Sequence, residues 1–344
     1  MKKAVMRIVY LGYYFKELDW EKYRHFIRHV NKETNISEPA LLWKSISNSL
    51  LYNISLLEYF QFHFYRKTKE EKEKWAGTGY MYEFQRVMNP IFSRDILDDK
   101  RLFFQRYRKF FVHEVYSDKE FYEDPQIFEK LKNAVSGKIV IKASDGKCGA
   151  QVKILKTEDL THEKVISQLK EDKYDMVEEF IIQHPELSRL APKGVNTVRI
   201  FTQLNEKDQV EILGCRQRLS VFSNVDNLAA GNIAASVDES TGKINGPGVY
   251  SDISKEPETI HPVSGVKIID FQIPFWKECL ALAKEAALFD KTNRSIGWDI
   301  VVTESGPGLI EGNHDWCKLV WQLPVDKGMK SRLQAYWDQF QKAG

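Results

Sequence analysis

The sequence predicts an α+β chain, and three observations carry that reading. Apolar residues recur at helical spacing through the first stretch, to about Val87. Short alternating runs separated by Gly- or Pro-containing turns then recur between residues 138 and 237 and again between 296 and 313. Amphipathic helical patterns at 274–288 and 327–342 follow the strand-rich part and close the chain.

The composition bounds what such a chain does. Its 344 residues suffice for one large or two modest domains, and 43% hydrophobic with 28% charged residues is ordinary for a soluble globular protein. Fifty basic residues against 48 acidic ones argue against a general nucleic-acid binder. Cys148, Cys215, Cys279 and Cys317 have no paired spacing, which fits a reducing compartment with neither a disulfide framework nor a zinc site. The opening run starts like a signal peptide, but Arg7 interrupts it and no small-residue cleavage site follows, so a cytoplasmic protein is expected. No stretch is apolar enough for a transmembrane helix.

In the N-terminal part, residues 20–31 and 41–65 show helical periodicity, and Ser37 with Glu38-Pro39 makes a helix start. Tyr59, Phe60, Phe62, Phe64 and Tyr65 crowd the end of the second helix and suit a core or a docking face better than a ligand site. The mixed charges of 67–74 fit a solvated helix face. Lys2, Lys3, Arg7 and the nearby tyrosines form a basic, aromatic end that suits a peripheral contact with an anionic membrane, or equally a partner protein.

In the middle, Asp98 or Asp99 caps a helix with Lys100 in its first turn, and Asp124-Pro125 opens another. A strand over 138–142 ends at Lys142. The loop that follows holds Asp145, Gly146, Cys148 and Gly149, and a second strand covers 151–155. A Lys ending a buried strand before a Gly-containing loop suits phosphate, since an ammonium and close backbone N–H groups both favour anions; many plain hairpins share the pattern. Residues 174–183 read as a strand running into a connector, either a core strand or an edge for a flat heterocycle. Arg199 lies in an alternating strand over 196–202, and Arg216 with Arg218 on one face of a strand over 210–219. Buried arginines need anionic partners, so these residues form structural ion pairs or a phosphate cage. A polar, small-residue loop covers 224–232 before a strand at 233–237.

The last two strands, 296–302 and 309–313, form a hairpin. Centred on Ser305, it sets Asp299 across from Glu311, about 4.5–5.5 Å away, with Asn313 on the same face as Glu311. Two adjacent carboxylates are costly to bury, and a hard cation such as Mg²⁺, or Mn²⁺, removes the cost. The alternative is an exposed face of solvated carboxylates.

Taken in order, Lys100, Lys142, Val177-Glu-Glu-Phe-Ile181, Asp299 and Glu311-x-Asn313 resemble the ATP-grasp superfamily. Gln183-His-Pro-Glu186, Val195-Asn-Thr-Val-Arg199, Val225-Asp-Asn227, Ile296-Gly-Trp-Asp299 and Leu309-Ile-Glu-Gly-Asn313 look most like its sugar-transfer-associated members from bacterial surface-polysaccharide clusters. The resemblance covers roughly residues 88–324. It implies two α+β subdomains clamping ATP, with a helical region at 1–87 and an ATP-grasp domain at 88–344, divided into 88–182 and 183–344. Lys100 and Lys142 would then contact phosphates, with Asp145, Gly146 and Gly149 in a loop closing over them. Glu178, Glu179 and Ile181 would meet adenine, and Glu186 the ribose. Asp299, Glu311 and Asn313 would hold two Mg²⁺, and Arg199 and Arg218 would contact transferred phosphate or substrate. The implied activity is a carboxylate–amine ligase working through an acyl phosphate on a cell-surface polysaccharide or its precursor. The alternatives are a phosphotransferase on a sugar-like hydroxyl and a nucleotide-binding scaffold for a glycosyltransferase.

Overall fold

The computed structural model describes residues 2–144, 151–223 and 225–342. Asp145, Gly146, Cys148 and Gly149 of the expected phosphate loop lie outside the described residues.

Six helices lead the chain: α1 (Lys2–Lys16), α2 (Trp20–Thr34), α3 (Glu38–Tyr52), α4 (Leu56–Gln61), α5 (Lys69–Glu73) and α6 (Thr78–Met88). The helix expected over 41–65 is interrupted. Asn53 takes the left-handed conformation (φ 57°) and stops α3, and Ser55 with Glu58 forms a capping box that starts α4 at a new angle. The turn aims the aromatic cluster inward, so Tyr59, Phe60, Phe62 and Phe64 join Tyr23, Phe26 and Trp75 in one core. No residue of α5 is buried, as its mixed charges require.

Helices α7 (Asp95–Asp98) and α8 (Lys100–Tyr107) bring the chain to a four-stranded antiparallel sheet of order β1-β4-β2-β3. Its strands are β1 (Val115–Ser117), β2 (Lys138–Lys142), β3 (Val152–Lys156) and β4 (Met176–Glu179). Helices α9 (Asp118–Glu123), α10 (Pro125–Lys132) and α11 (His162–Asp172) cover one face. There Ile139, Ile141 and Val177 bury against Phe121, Phe128, Leu131, Val165 and Leu169. The opposite face is left for the site.

After α12 (Pro185–Leu190) comes a five-stranded antiparallel sheet of order β7-β6-β5-β8-β9. It comprises β5 (Val198–Leu204), β6 (Val210–Leu219), β7 (Ile233–Val237), β8 (Ser295–Thr303) and β9 (Gly306–Asn313). Period-2 alternation splits it cleanly. Val198, Ile200, Cys215, Trp298 and Ile300 pack with α13 (Trp276–Phe289) in the largest core. The other face carries Arg199, Arg216, Arg218, Asp299 and Glu311, with Phe201, Trp316 and Trp321 packed beyond them. Helices α14 (Lys318–Gln322) and α15 (Lys330–Lys342) finish the chain. Among the described residues no helix is long and apolar enough to cross a membrane.

Candidate active site

The β8–β9 hairpin reaches the expected pairing by an unexpected route. Its turn is tight, with Thr303 opposite Gly306, one residue short of a turn centred on Ser305. A bulge between Asp299 and Ile300 then takes up Ile310 on β9 and restores Asp299 opposite Glu311. Asn89, fully buried, fixes the open end of the hairpin: its amide donates to the carbonyls of Ser295 and His314, 2.8 Å each. Gly297 leaves the room this face needs, since a Cβ there would stand 2.7 Å from the Trp316 Cβ and 3.2 Å from the Arg199 Cδ.

Asp299 is the centre of a buried ion network. Arg199, its neighbour on β5, binds both carboxylate oxygens, the second at 2.7 Å. Arg218 reaches the same carboxylate at 2.8 Å and also Asp226 at 2.6 Å. Burial alone would raise the Asp299 carboxyl; Arg199 and Arg218 outweigh it and hold Asp299 well below the usual carboxylate range. Glu311 goes the other way. Burial and the adjacent Asp299 charge push its carboxyl up, against the weaker pull of the two arginines. Burial and Asp299 likewise push up the Asp226 carboxyl, against Arg218. The Asn313 amide donates to Glu311 at 3.2 Å. Arg216 does not join this cage. It is buried against the carbonyls of Trp321 and Cys215, with no carboxylate beside it among the described residues, and burial lowers its pKa to about 10.

A cavity of about 1170 Å³ lies between this face and the open face of the four-stranded sheet. On the four-stranded side it is lined by Lys138, Val140, Val152, Ile154, Glu178 and Phe180. Val152 and Ile154 are 43% and 48% exposed and form an apolar floor. Lys142 lies on the same face as Val140 and closes an ion pair with Glu178. Lys100, capped into α8 by Asp99, extends its ammonium to the Ser144 carbonyl at 3.0 Å. Of the residues singled out in the sequence, Lys100, Glu178, Glu179, Ile181, Arg199, Arg218, Asp299, Glu311 and Asn313 all line this one cavity. Glu186 does not. It is half-exposed on α12 and ion-paired to Arg189 at 2.7 Å, a contact within one helical turn.

Sequence reasoning missed the far wall. Lys22 of α2 and Ser55, Leu57, Glu58 and Gln61 of the α4 segment line the same cavity, so the N-terminal helices are part of it. Glu58 is a buried node there. It accepts from Ser55 N (2.7 Å), from the Thr78 backbone (2.9 Å) and hydroxyl (2.7 Å), and pairs with Lys318 at 3.1 Å. Burial disfavours the Lys318 charge, but Glu58 outweighs it and raises the pKa. Lys22 meets the Ser251 hydroxyl at 3.4 Å. Asp226 was visible as part of Val225-Asp-Asn227 yet had no role assigned; the Glu58–Lys318 pair spans too much chain to leave a local signal.

The donor set fits a hard cation on the side of Glu311 and Asn313, where a carboxyl pushed up by burial and a neighbouring charge would be relieved by one. Among the described residues no group of three or more His, Cys, Asp or Glu gathers as a metal site. An ion here would therefore rest on two carboxylates, the Asn313 amide and outside oxygens such as phosphate.

A family model described as sugar-transfer associated ATP-grasp matches residues 80–337. No curated protein sequence matches the chain. Among solved structures the chain is similar to D-alanyl-alanine synthetase A from Vibrio cholerae (10% identity, 71% of this chain and 66% of that one, TM-score 0.41). It is also similar to an N5-carboxyaminoimidazole synthetase from Staphylococcus aureus complexed with ADP (7%, 68% and 52%, 0.40) and to an L-amino acid ligase from Bacillus licheniformis (9%, 64% and 41%, 0.37). The chain spans about half the length, or less, of most of these structures.

Proposed function

The chain belongs to the sugar-transfer-associated ATP-grasp family, and on that premise we propose that it is an ATP-dependent carboxylate–amine ligase. One observation carries the reading: an apolar, lysine-edged sheet face and a buried Arg199–Arg218–Asp299–Glu311 cluster line a single cavity. The first suits a nucleotide, with adenine over Val140, Val152 and Ile154 and phosphates toward Lys142 and Lys100. The second suits the transferred phosphoryl group and the acid that receives it.

A carboxylate is a poor acyl donor because oxide does not leave. Its oxygen attacks the γ-phosphorus, ADP departs, and the acyl phosphate is then open to an amine, which expels phosphate and loses a proton. Such a transfer needs positioning and charge neutralisation more than a protein nucleophile. Arg199 and Arg218 orient the acid and neutralise the charge that develops; they are pre-set by Asp299 and Asp226, so little reorganisation is needed. Asp299, Glu311 and Asn313 would hold Mg²⁺, which would supply charge neutralisation for the phosphoryl transfer. The acid is read as a carboxylate of a cell-surface polysaccharide or its precursor, and the amine as an amino acid or another amine. The description of the matching family supports that setting.

Product analysis tests the reading. ADP and phosphate released only when an acid and an amine are both present, and lost in Asp299→Asn, fits the ligase. ADP with a phosphorylated acceptor and no free phosphate would replace it by a kinase. Tight ATP binding without turnover across uronic acids, nucleotide-sugar uronates and amino acids would favour a scaffold for a glycosyltransferase.

A further inference from the structure

Helix α1 carries apolar residues on both of its arcs, yet only one arc is covered. Tyr10, Leu11, Tyr14 and Phe15 turn toward the body: Tyr14 is buried, Tyr10 meets Tyr82 edge-on at 6.0 Å, and Leu11 and Phe15 pack on the N-terminal core. On the opposite arc Val5, Ile8, Val9 and Tyr13 are 55%, 64%, 57% and 57% exposed. The arc is not isolated. Arg7 binds the carbonyls of Leu50 and Leu51 at 2.9 and 2.7 Å, holding α1 along α3, where Leu51 and Trp43 are also exposed.

The charge on this helix has one sign. Lys2, Lys3, Arg7 and Lys16 stand in α1 with no aspartate or glutamate, while the whole chain is nearly neutral at +2. We propose that this face seats the protein on an anionic lipid bilayer, with α1 lying in the interface. Val5, Ile8, Val9 and Tyr13 face the acyl chains, and the positive charge of the helix draws it to the headgroups. An exposed apolar arc on a helix whose own sequence is basic and carries no acidic residue matches such a surface on both counts. A protein partner would need only the apolar half of that match. The seating is independent of the chemistry proposed above.

Co-sedimentation of the full chain with vesicles tests it, comparing pure phosphatidylcholine with phosphatidylcholine carrying about a third phosphatidylglycerol. The expected result is at least about tenfold stronger partitioning onto the anionic vesicles, weakening as salt rises. Val5→Ser/Ile8→Ser/Val9→Ser should cut that partitioning about tenfold or more with an unchanged melting temperature, since these side chains touch solvent. Lys2→Gln/Lys3→Gln should lower only the advantage of the anionic vesicles. Equal binding to both vesicles, or undiminished binding by the triple variant, would overturn the proposal. So would a parent dimer in gel filtration that the triple variant converts to monomer, because the face would then belong to a second copy.

Discussion

Replacing Arg218 by methionine removes the one guanidinium that bridges Asp226 and Asp299. Both carboxylates are buried, and Arg218 reaches them at 2.6 and 2.8 Å. Asp299 keeps Arg199. Among the described residues Asp226 keeps only the Thr197 backbone and hydroxyl, at 2.6 and 2.5 Å. Removing one partner of a buried ion pair costs about 3–5 kcal/mol, and the surviving contacts set the loss near the lower end, about 3 kcal/mol. At roughly 2 °C per kcal/mol for a chain of this size, Arg218→Met should melt about 6 °C below the parent. Adding Asp226→Asn discharges the stranded group while its amide oxygen still accepts from Thr197. About 2 kcal/mol should return, and that is the coupling a double-mutant cycle would read. The assay is thermal and urea unfolding of the parent, both single variants and the double, beside ADP release. The double variant should fold and stay inactive, because nothing replaces the guanidinium at the substrate. An Arg218→Met variant melting within about 1 °C of the parent, or one that Asp226→Asn fails to rescue, would refute the network as drawn. A rescued double variant with parental turnover would remove Arg218 from the chemistry.

Three further outcomes follow from the same geometry. Glu58→Ala uncaps α4, frees the Thr78 backbone N–H at the start of α6 and strands Lys318, so its melting point should fall by the equivalent of roughly 4 kcal/mol. Lys318→Met in the same chain should restore part of it. His261 accepts at Nδ1 from the Val263 and Ser264 amides, so Nε2 carries the proton to the Ser220 carbonyl, and burial lowers its pKa. A depressed histidine contributes stability that is present above its unfolded value of about 6.5 and is lost as pH falls below it, so melting temperature should drop from pH 7 to 5 and His261→Gln should flatten part of the drop. Lys22→Gln should raise the acid or amine concentration needed for half-maximal turnover several-fold while leaving that for ATP unchanged, because Lys22 enters the cavity from the N-terminal helices and not from the sheet face assigned to ATP. Steady-state kinetics with each substrate varied in turn reads this directly.

The strand-rich half was legible because each strand carries its own period. Lys138–Lys142, Val210–Leu219 and Ile233–Val237 are the strands the alternation marks. The Asp299–Glu311 pairing was legible too, though the turn and bulge that produce it were not, since a one-residue shift at the turn is cancelled by Ile310. Helix α1 was legible only coarsely, as the basic, aromatic end of a mostly helical stretch, because which of its apolar residues stay exposed is set by packing against α3 and the N-terminal core. The break at Asn53 was hidden by apolar residues on both sides of it. Arg216 carried the same signal as Arg218 and met backbone carbonyls instead of a carboxylate, because charge alone does not fix which partner a buried arginine finds. Glu58 and Lys22 read as ordinary helix polars, and only the packing of the N-terminal helices against the cavity gives them a place in it.

The most direct test of the ligase account is the fate of the acid's own oxygen. With the acid that supports ADP release labelled with ¹⁸O in its carboxylate, and with MgATP and the amine, the account predicts one labelled oxygen in the released phosphate and one kept in the amide. Unlabelled phosphate beside an intact, doubly labelled carboxylate would contradict the acyl phosphate and, with it, the assignment of the Arg199–Arg218 end of the cavity to the acid.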